Sequence, residues 1–544
     1  MKRRDFIKKS AAGVAAAGVL PLAIGGMPGR ALARNPIFDA LTNAATDSDR
    51  VLVLINLEGG NDGLNTVIPF EDPIYQMKRP NTGFLTTAEQ AILRNDFKLR
   101  DGIALNSVMD FRASAGQKYM MKLWKDGKLA VVNNVGYADP NRSHFRSTDI
   151  WNTASDSNVI LTTGWIGRYL LTQYPDYPLD VDPGDDPVAI QIGAALNPVF
   201  QSGRGSMGIA VLDPSKYNAA SAYEDDLPPA TAAGAELNYV RSVLLQSDLY
   251  GDRFKSITAT NKVAYPLNNR LADQLKRVAW CINAGFKTRV YFVTLNGFDT
   301  HVQQNSKDAS AGHGQLLSLL STAISAFQAD LEAMGHAERV IGMTYSEFGR
   351  RVDDNDSSGT DHGTCAPQFL FGNQINGELY GAAPDLADLD ENLDLKWKVD
   401  FRQLYSNVLG DWFGVSEPLR QAILDSKSFA FNVPVNGTSK IQSLIKTPFS
   451  TVTSEERHIA ELTANYPNPF IDHTRITFAL SEAAMVSLEV YDSRGAKVRT
   501  LVSGKLGRGP HEATLDAMGL ASGTYYCRLE ADGKVQTRAI VLAK

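Results

Sequence analysis

Several short stretches of this chain carry side chains able to hold a cation or move a proton. They are Asp62 in Gly59-Gly60-Asn61-Asp62-Gly63-Leu64-Asn65, the run Arg142-Ser143-His144, and Asp299 with His301 in Gly297-Phe298-Asp299-Thr300-His301. Glu347 in Ser346-Glu347-Phe348-Gly349-Arg350-Arg351 and the pair Asp361-His362 complete the set. Carboxylates and imidazoles suit zinc, manganese, calcium or magnesium depending on geometry, and residue types alone do not choose among them. Gathered carboxylates repel, and their pKa values rise unless a cation compensates. Such a cation can lower the pKa of water or of Ser143 and stabilise phosphoryl or sulfuryl charge. Arg142, Arg350 and Arg351 can clamp an anion or pair with these same acids. Asn61-Asp62-Gly63 is also an ordinary turn sequence, and Ser143 suits a helix N-cap as well as a nucleophile.

The elements around these residues decide whether they meet. Arg289–Leu295 and Arg339–Tyr345 are apolar runs of strand length, as in strands buried on both faces of a parallel sheet. Between them Leu316, Leu320, Ile324, Phe327 and Leu331 form one apolar stripe at helical spacing, with Gly335 as a stop. A strand, crossover helix and strand place both following loops at the carboxyl edge of the sheet, where open α/β folds bind ligands. Val51–Leu57 and Leu129–Val132 are further strands; the first delivers Asn61, Asp62 and Asn65 to that same rim, and the second leads into Arg142-Ser143-His144.

The remaining segments frame this core. Leu267–Ala284 and Trp397–Trp412 have helical patterns, and Val188–Ile192 is strand-like. The acidic, Pro-punctuated loops within Thr172–Tyr265 read as a cap shaping substrate access; neither has the spacing of an EF-hand. His313 opens the crossover helix and is given no site role. Net charge is −6 over 544 residues with no basic stripe, which excludes nucleic acid as the main partner. Cys281, Cys365 and Cys527 lie far apart, so no disulfide framework is expected, and Cys281 and Cys365 read as buried and neutral. A redox cofactor is disfavoured, because there is no Cys-x-x-Cys-His and no Gly-x-Gly-x-x-Gly after a strand.

The chain opens with Lys2-Arg3-Arg4-Asp5-Phe6-Ile7-Lys8, then a mild apolar segment from Ala11 to Gly26 and the cleavage pattern Ala31-Leu32-Ala33. This reads as a twin-arginine signal, implying the twin-arginine translocase as partner and no membrane span in the mature form. From Ala464 onward, short alternating runs (Arg475–Leu480, Val486–Tyr491, Thr514–Leu515, Gly523–Leu529, Val535–Leu542) separated by turns indicate an antiparallel β-sandwich.

Two resemblances add to this reading. Asn465-Tyr466-Pro467-Asn468-Pro469-Phe470, Val490-Tyr491-Asp492 and Leu520-Ala521-Ser522-Gly523-Thr524-Tyr525-Tyr526 resemble the C-terminal sorting domain of type IX secretion substrates in the Bacteroidetes and relatives. That resemblance implies the type IX secretion machinery as partner and a secreted or cell-surface protein reached via the periplasm. The larger part resembles the domain-of-unknown-function 1501 family of the alkaline phosphatase/sulfatase-like superfamily. The motifs carrying it are Gly59–Asn65, Arg142-Ser143-His144-Phe145, Gly297–His301, Ser346–Arg350 and Asp361-His362-Gly363. It implies an α/β fold with a mostly parallel sheet sandwiched by helices, and a Ser, Thr or modified Cys nucleophile between two divalent metals. On that template Ser143 is the nucleophile, supported by His144 and Arg142, and the metal ligands are Asp62, Asp299, His301, Glu347, Asp361 and His362. Phe348 stands where these enzymes usually carry a His beside the acid.

The sequence thus predicts a signal peptide over 1–33, an alkaline-phosphatase-like α/β domain over 34–431, a linker over 432–463 and a sorting β-sandwich over 464–544. The expected function is an exported, metal-dependent hydrolase acting on an anionic phosphate or sulfate ester. The alternative is a non-catalytic surface binding protein with a degenerate metal site.

Overall fold

The structure is a computed structural model and describes residues 49–110, 119–175, 177, 185–217, 250–251, 253–424 and 444–446, then 460–468, 470–480, 483–492, 497–531 and 534–543. Residues 1–33, expected to be a signal peptide, the acidic loops at 180–184 and 223–229, and most of the 432–463 stretch lie outside the described residues. The chain divides into two units, 1–449 and 450–544.

In the first unit the strands of the main sheet are β1 (Val51–Glu58), β2 (Leu129–Gly136), β3 (Ala189–Ile192), β4 (Ile209–Val211), β5 (Val290–Asn296), β6 (Val340–Tyr345), β7 (Ala366–Phe371), β8 (Leu379–Tyr380) and β9 (Val399–Asp400). They form one 9-stranded sheet in the order β8-β2-β7-β6-β1-β5-β3-β4, with β9 also pairing β2. β1 lies between β5 and β6 and is parallel to both. All named neighbours are parallel except β7, which runs antiparallel to β6 and β2. That reversal matters for the site. Two antiparallel steps leave β2 parallel to β6, so β1, β2, β5 and β6 all end at one edge. The segment that enters β7, containing Asp361 and His362, arrives at that same edge.

Helices cover both faces. Val53, Ile55 and Leu57 of β1 face one hydrophobic cluster, shared with α2 (Arg270–Asn283) and α3 (Gly312–Ala333). Leu52 and Leu54 face the other, shared with α1 (His144–Thr153) and α4 (Phe401–Asn407). Alternation with no polar face explains why β1 reads as a continuous apolar run. The stripe Leu316, Leu320, Ile324, Phe327 and Leu331 lies on the buried side of α3, and Gly335 follows with φ +78. Helix was expected throughout Trp397–Trp412. Instead Val399–Asp400 pairs with β2, and the helix begins at Phe401 with the Asp400 carboxylate accepting from Arg402 N–H. The Asp400 cap marks the boundary.

The second unit holds β10 (Ala460–Tyr466), β11 (His473–Leu480), β12 (Ala484–Tyr491), β13 (Lys497–Leu506), β14 (Gly509–Asp516), β15 (Gly523–Ala531) and β16 (Lys534–Leu542). They make two antiparallel sheets, β10-β11-β14 and β13-β12-β15-β16, with a core that includes Phe478, Leu488, Leu515, Cys527 and Ile540. β13 escapes the sequence pattern because it is an edge strand, half exposed and charged at Lys497, Arg499 and Lys505. All three cysteines are free and buried.

Candidate metal centre

The loops that leave the carboxyl edge are braced against one another before any ligand is considered. Gly59 has φ +122, and a Cβ there would sit 2.3 Å from the backbone N of Asp299, so only glycine lets the loops after β1 and β5 touch. Arg350, 2% exposed, stands at their centre. Its guanidinium donates to the carbonyls of Gly60 (2.8 Å), Thr360 (2.9 Å), Phe298 (3.0 Å) and Gly59, and to Asp299 Oδ1 at 2.8 Å. One buried cation therefore ties four loop segments and aims a carboxylate. The N-terminus of α1 is fastened to the same place, since Ser147 Oγ donates to the Glu347 carbonyl.

Around Asp299 stand three imidazoles with a common arrangement. His144 Nδ1 lies 2.8 Å from Glu347 Oε1, His301 Nδ1 lies 2.9 Å from Asp361 Oδ1, and His362 Nδ1 lies 2.8 Å from the Arg142 carbonyl. A carbonyl and an ionised carboxylate can only accept, so each Nδ1 carries the proton. In a neutral ring each Nε2 is then a bare lone pair, and all three turn inward. They lie 3.6 Å (His144), 3.2 Å (His301) and 3.4 Å (His362) from Asp299 Oδ1, while His301 Nε2 and His362 Nε2 are 2.9 Å apart. Lone pairs at that separation repel unless a cation sits between them. Nδ1 held by an acceptor and Nε2 turned to a shared carboxylate is an arrangement found in metal-binding histidines. His144, Asp299 and His362 each offer a ligand atom within 4.8 Å of the others.

Phe348 fixes the ring planes, with its ring centroid 4.9 Å from that of His144 and 4.5 Å from that of His362. The cluster opens to solvent on one side, where Asp299 is 49% and His301 40% exposed at the side chain. Electrostatics match the geometry. Burial pushes the Asp299 carboxyl up, but the Arg350 hydrogen bond and charge more than offset this and hold it below its ordinary value. Asp361 is held low chiefly by its His301 hydrogen bond. The Glu347 hydrogen bond raises His144, whereas burial pushes His362 down. The donor set fits a divalent cation: imidazole nitrogens and a carboxylate oxygen converge, and of the groups on Asp299 Oδ1 only Arg350 is obliged to donate.

The residues singled out by sequence fall into distinct places. Asp299, His301 and His362 line the centre. Glu347 and Asp361 stand behind it, each holding a histidine; Glu347 is also fixed by Gly59 N–H at 2.9 Å. Asp62 does not reach the centre with a free oxygen. It is fully buried, with Arg79 Nη1 on Oδ2 (2.6 Å) and Nη2 on Oδ1 (3.0 Å), and with Gln304 Nε2 at 2.6 Å and Asn65 Nδ2 at 2.9 Å also on Oδ2. Ser143 is the exposed N-cap of α1, yet its hydroxyl makes no cap bond. His144 presents Nε2 to Asp299. Arg142 supplies its carbonyl to His362 and pairs with Asp394 Oδ2 at 3.0 Å.

Arg79, Phe348 as a ring support and His144 as a ligand candidate were not evident from sequence reasoning. Only His144 left a signal, namely its place shortly after the apolar run that forms β2. His313 is fully buried within α3, with Nε2 2.9 Å from Asn61 Oδ1, and burial pushes it down to about 4.

The comparisons with known proteins follow the two units. Residues 282–426 match the family described as "Protein of unknown function (DUF1501)", and residues 464–543 match the "Secretion system C-terminal sorting domain". That sorting domain marks the protein for secretion to the cell surface or the extracellular space. No helix among the described residues is long and apolar enough to cross a membrane. No curated protein matches the chain. Among solved structures, dimeric latent PorU from Porphyromonas gingivalis is similar over 16% of this chain at 20% identity and TM-score 0.13; the match spans 9% of that chain. The PsFucS1 sulfatase from Pseudoalteromonas sp. is similar at 11% identity, covering 89% of this chain and 87% of that one, with TM-score 0.31. A protein in the alkaline phosphatase superfamily from Vibrio parahaemolyticus is similar at 11% identity over 91% of each chain, with TM-score 0.29.

Proposed function

We propose that this protein is an exported, metal-dependent hydrolase of phosphate or sulfate esters, built around one divalent cation held by Nε2 of His144, His301 and His362 and by Asp299. The observation that carries the reading is the set of inward lone pairs, each fixed by an outer acceptor on Nδ1. A donor set this rich in imidazole favours zinc or another transition ion over calcium or magnesium. When bound, the metal supplies Lewis-acid polarisation and a lowered pKa for a coordinated oxygen.

The chain's own residues do the rest. Glu347, Asp361 and the Arg142 carbonyl hold the imidazole tautomers, and Arg350 keeps Asp299 ionised and oriented. Ser143 stands next to His144 at the positive end of α1, with a hydroxyl not spent on capping, which supports it as the nucleophile. The open side at Asp299 and His301 admits the ester.

The test is elemental analysis of the purified full-length protein, followed by turnover of p-nitrophenyl phosphate and p-nitrophenyl sulfate. About one metal per chain is expected, with turnover lost in Ser143→Ala. A folded, metal-free protein that takes up no zinc overturns the reading. A non-catalytic binding role is favoured by one observation: Arg79 occupies Asp62, so a second cation lacks its first carboxylate. One metal per chain with no turnover of either ester would select that role.

A further inference from the structure

The loop between β6 and β7 does more than carry His362. From Arg351 to Gly359 it lies against two parts of the chain that come long before it. On one side the carbonyls of Arg351 and Val352 accept from Arg79, and Asp354 N–H donates to the Lys78 carbonyl at 3.1 Å. The Asp354 carboxylate accepts from the backbone N–H groups of Asn81 (2.8 Å) and Thr82 (2.9 Å). On the other side Gln303 and Gln304 N–H donate to the carbonyls of Ser357 (2.9 Å) and Ser358 (2.8 Å). A Cβ on Gly359 would lie 2.1 Å from the His301 carbonyl oxygen. The loop is zipped along the segment that bears His301.

Asn355 sits where these two sets of bonds meet. Its Oδ1 accepts from Ser357 N–H and Gly359 N–H, both at 3.0 Å. Two donors on one amide atom fix that atom as the oxygen, so the other is the NH₂. The NH₂ donates to the His301 carbonyl at 3.0 Å and to Asp361 Oδ1 at 3.2 Å. Asp361 Oδ1 is the same atom that accepts from His301 Nδ1. One amide therefore grips His301 twice, at its backbone and, through Asp361, at its ring.

We infer that Asn355 is a positioning residue for the metal centre, selecting the Nδ1–H tautomer of His301 by holding Asp361 in place. The zinc consequence rests on the metal reading of the centre, and none of it rests on the ester chemistry. The physical basis is exposure. The Asp361 side chain is 53% exposed, against 3% for Glu347, which does the same for His144. Burial and Gly59 N–H hold Glu347. A carboxylate in water has many orientations, and a fixed donor on Oδ1 removes most of them. Without that donor Asp361 turns to solvent, and Nε2 of His301 is no longer kept bare for a cation.

The experiment compares Asn355→Ser with the wild type in the full-length protein. A serine hydroxyl can accept from the N–H groups of the turn and adds no charge, but it is too short to reach Asp361. Urea unfolding should therefore change little. In metal-stripped protein with isotope-labelled histidine, the His301 ring signal, assigned with His301→Gln, should report one tautomer in the wild type and a mixture in the variant. Zinc affinity, read by competition with a chromophoric chelator, should fall about tenfold, the lower end for groups that hold a metal-binding histidine. In the Asp361→Ala background the same substitution should weaken zinc no further. The inference is overturned if the variant keeps the wild-type tautomer, or if its zinc loss adds to that of Asp361→Ala; either result leaves Asn355 a turn residue only. Should Asn355→Ser unfold, Asn355→Asp keeps both turn bonds without the donor, and the single tautomer should be lost there too. A wild type that takes up no zinc, with the tautomer result as expected, would sink the metal reading and leave the hold of Asn355 on His301 intact.

Discussion

Arg79 and Asp62 form a bidentate ion pair in which both side chains are 0% exposed. Arg79 also donates to the carbonyls of Val352 (2.6 Å) and Arg351 (2.7 Å), so its charge is shared between the first loop and the segment after Arg350. Asp62 can stay ionised in the interior because this guanidinium supplies the cation. Breaking a buried pair from one side leaves an uncompensated charge, which costs roughly 3–5 kcal/mol. Arg79→Met is therefore expected to lower unfolding stability in urea by that amount. Asp62→Asn combined with Arg79→Met should cost distinctly less than the two single changes added together, because no buried charge is left over. Additive losses would mean that the pair does not interact.

His313 gives the fold a pH dependence with a definite sign. Its ordinary value is 6.5 and burial lowers it to about 4 in the fold. Between those values the unfolded chain binds more protons than the folded one, so stability falls as pH drops from about 6.5 to about 4. A shift of this size corresponds to a loss on the order of 3 kcal/mol. Thermal unfolding followed from pH 7 to pH 4 should show a steeper decline in the wild-type chain than in His313→Gln, which cannot titrate. Parallel declines would remove His313 from the account.

Much of the frame around the centre was legible because it rests on patterns with a physical cause. Buried β1, β5 and β6 are uninterrupted apolar runs, and α3 shows its stripe, so the rim carrying Asp299, His301 and Glu347 follows from βαβ geometry. What was not legible depends on contacts distant along the chain. Arg79 caps the C-terminus of a short helix and shows nothing locally of its pairing with Asp62. The His144 ring is drawn in by Glu347 and Phe348, both some two hundred residues away, so a neighbouring serine suggested nucleophilic chemistry first.

Glu347 and Asp361 offer a way to separate holding a histidine from binding the metal. Each accepts from an Nδ1 and stands behind its ring, so neither need touch the cation. Partners of this kind typically contribute 10–100-fold in metal affinity. Glu347→Gln and Asp361→Asn should retain one metal per chain but weaken zinc by about that factor in competition with a chromophoric chelator. His362→Ala or Asp299→Ala should abolish stoichiometric binding under the same conditions. Equal losses in both groups would place the acids among the ligands.

Arg350 is the residue whose replacement should couple fold and site most directly. Lys has one ammonium on a flexible stem and cannot reproduce a planar fork that reaches Gly59, Gly60, Phe298, Thr360 and Asp299 together. Arg350→Lys keeps the charge but leaves several buried carbonyls without donors, each at about 1–3 kcal/mol before relaxation. A stability loss of a few kcal/mol is expected in urea, together with weaker zinc binding, because Asp299 loses the donor that holds Oδ1 among the imidazoles. The two effects separate with temperature: cooling the variant well below its unfolding transition restores the fold but leaves the carboxylate unaimed. Zinc affinity of folded Arg350→Lys equal to wild type would show that Arg350 braces the loops without orienting the ligand.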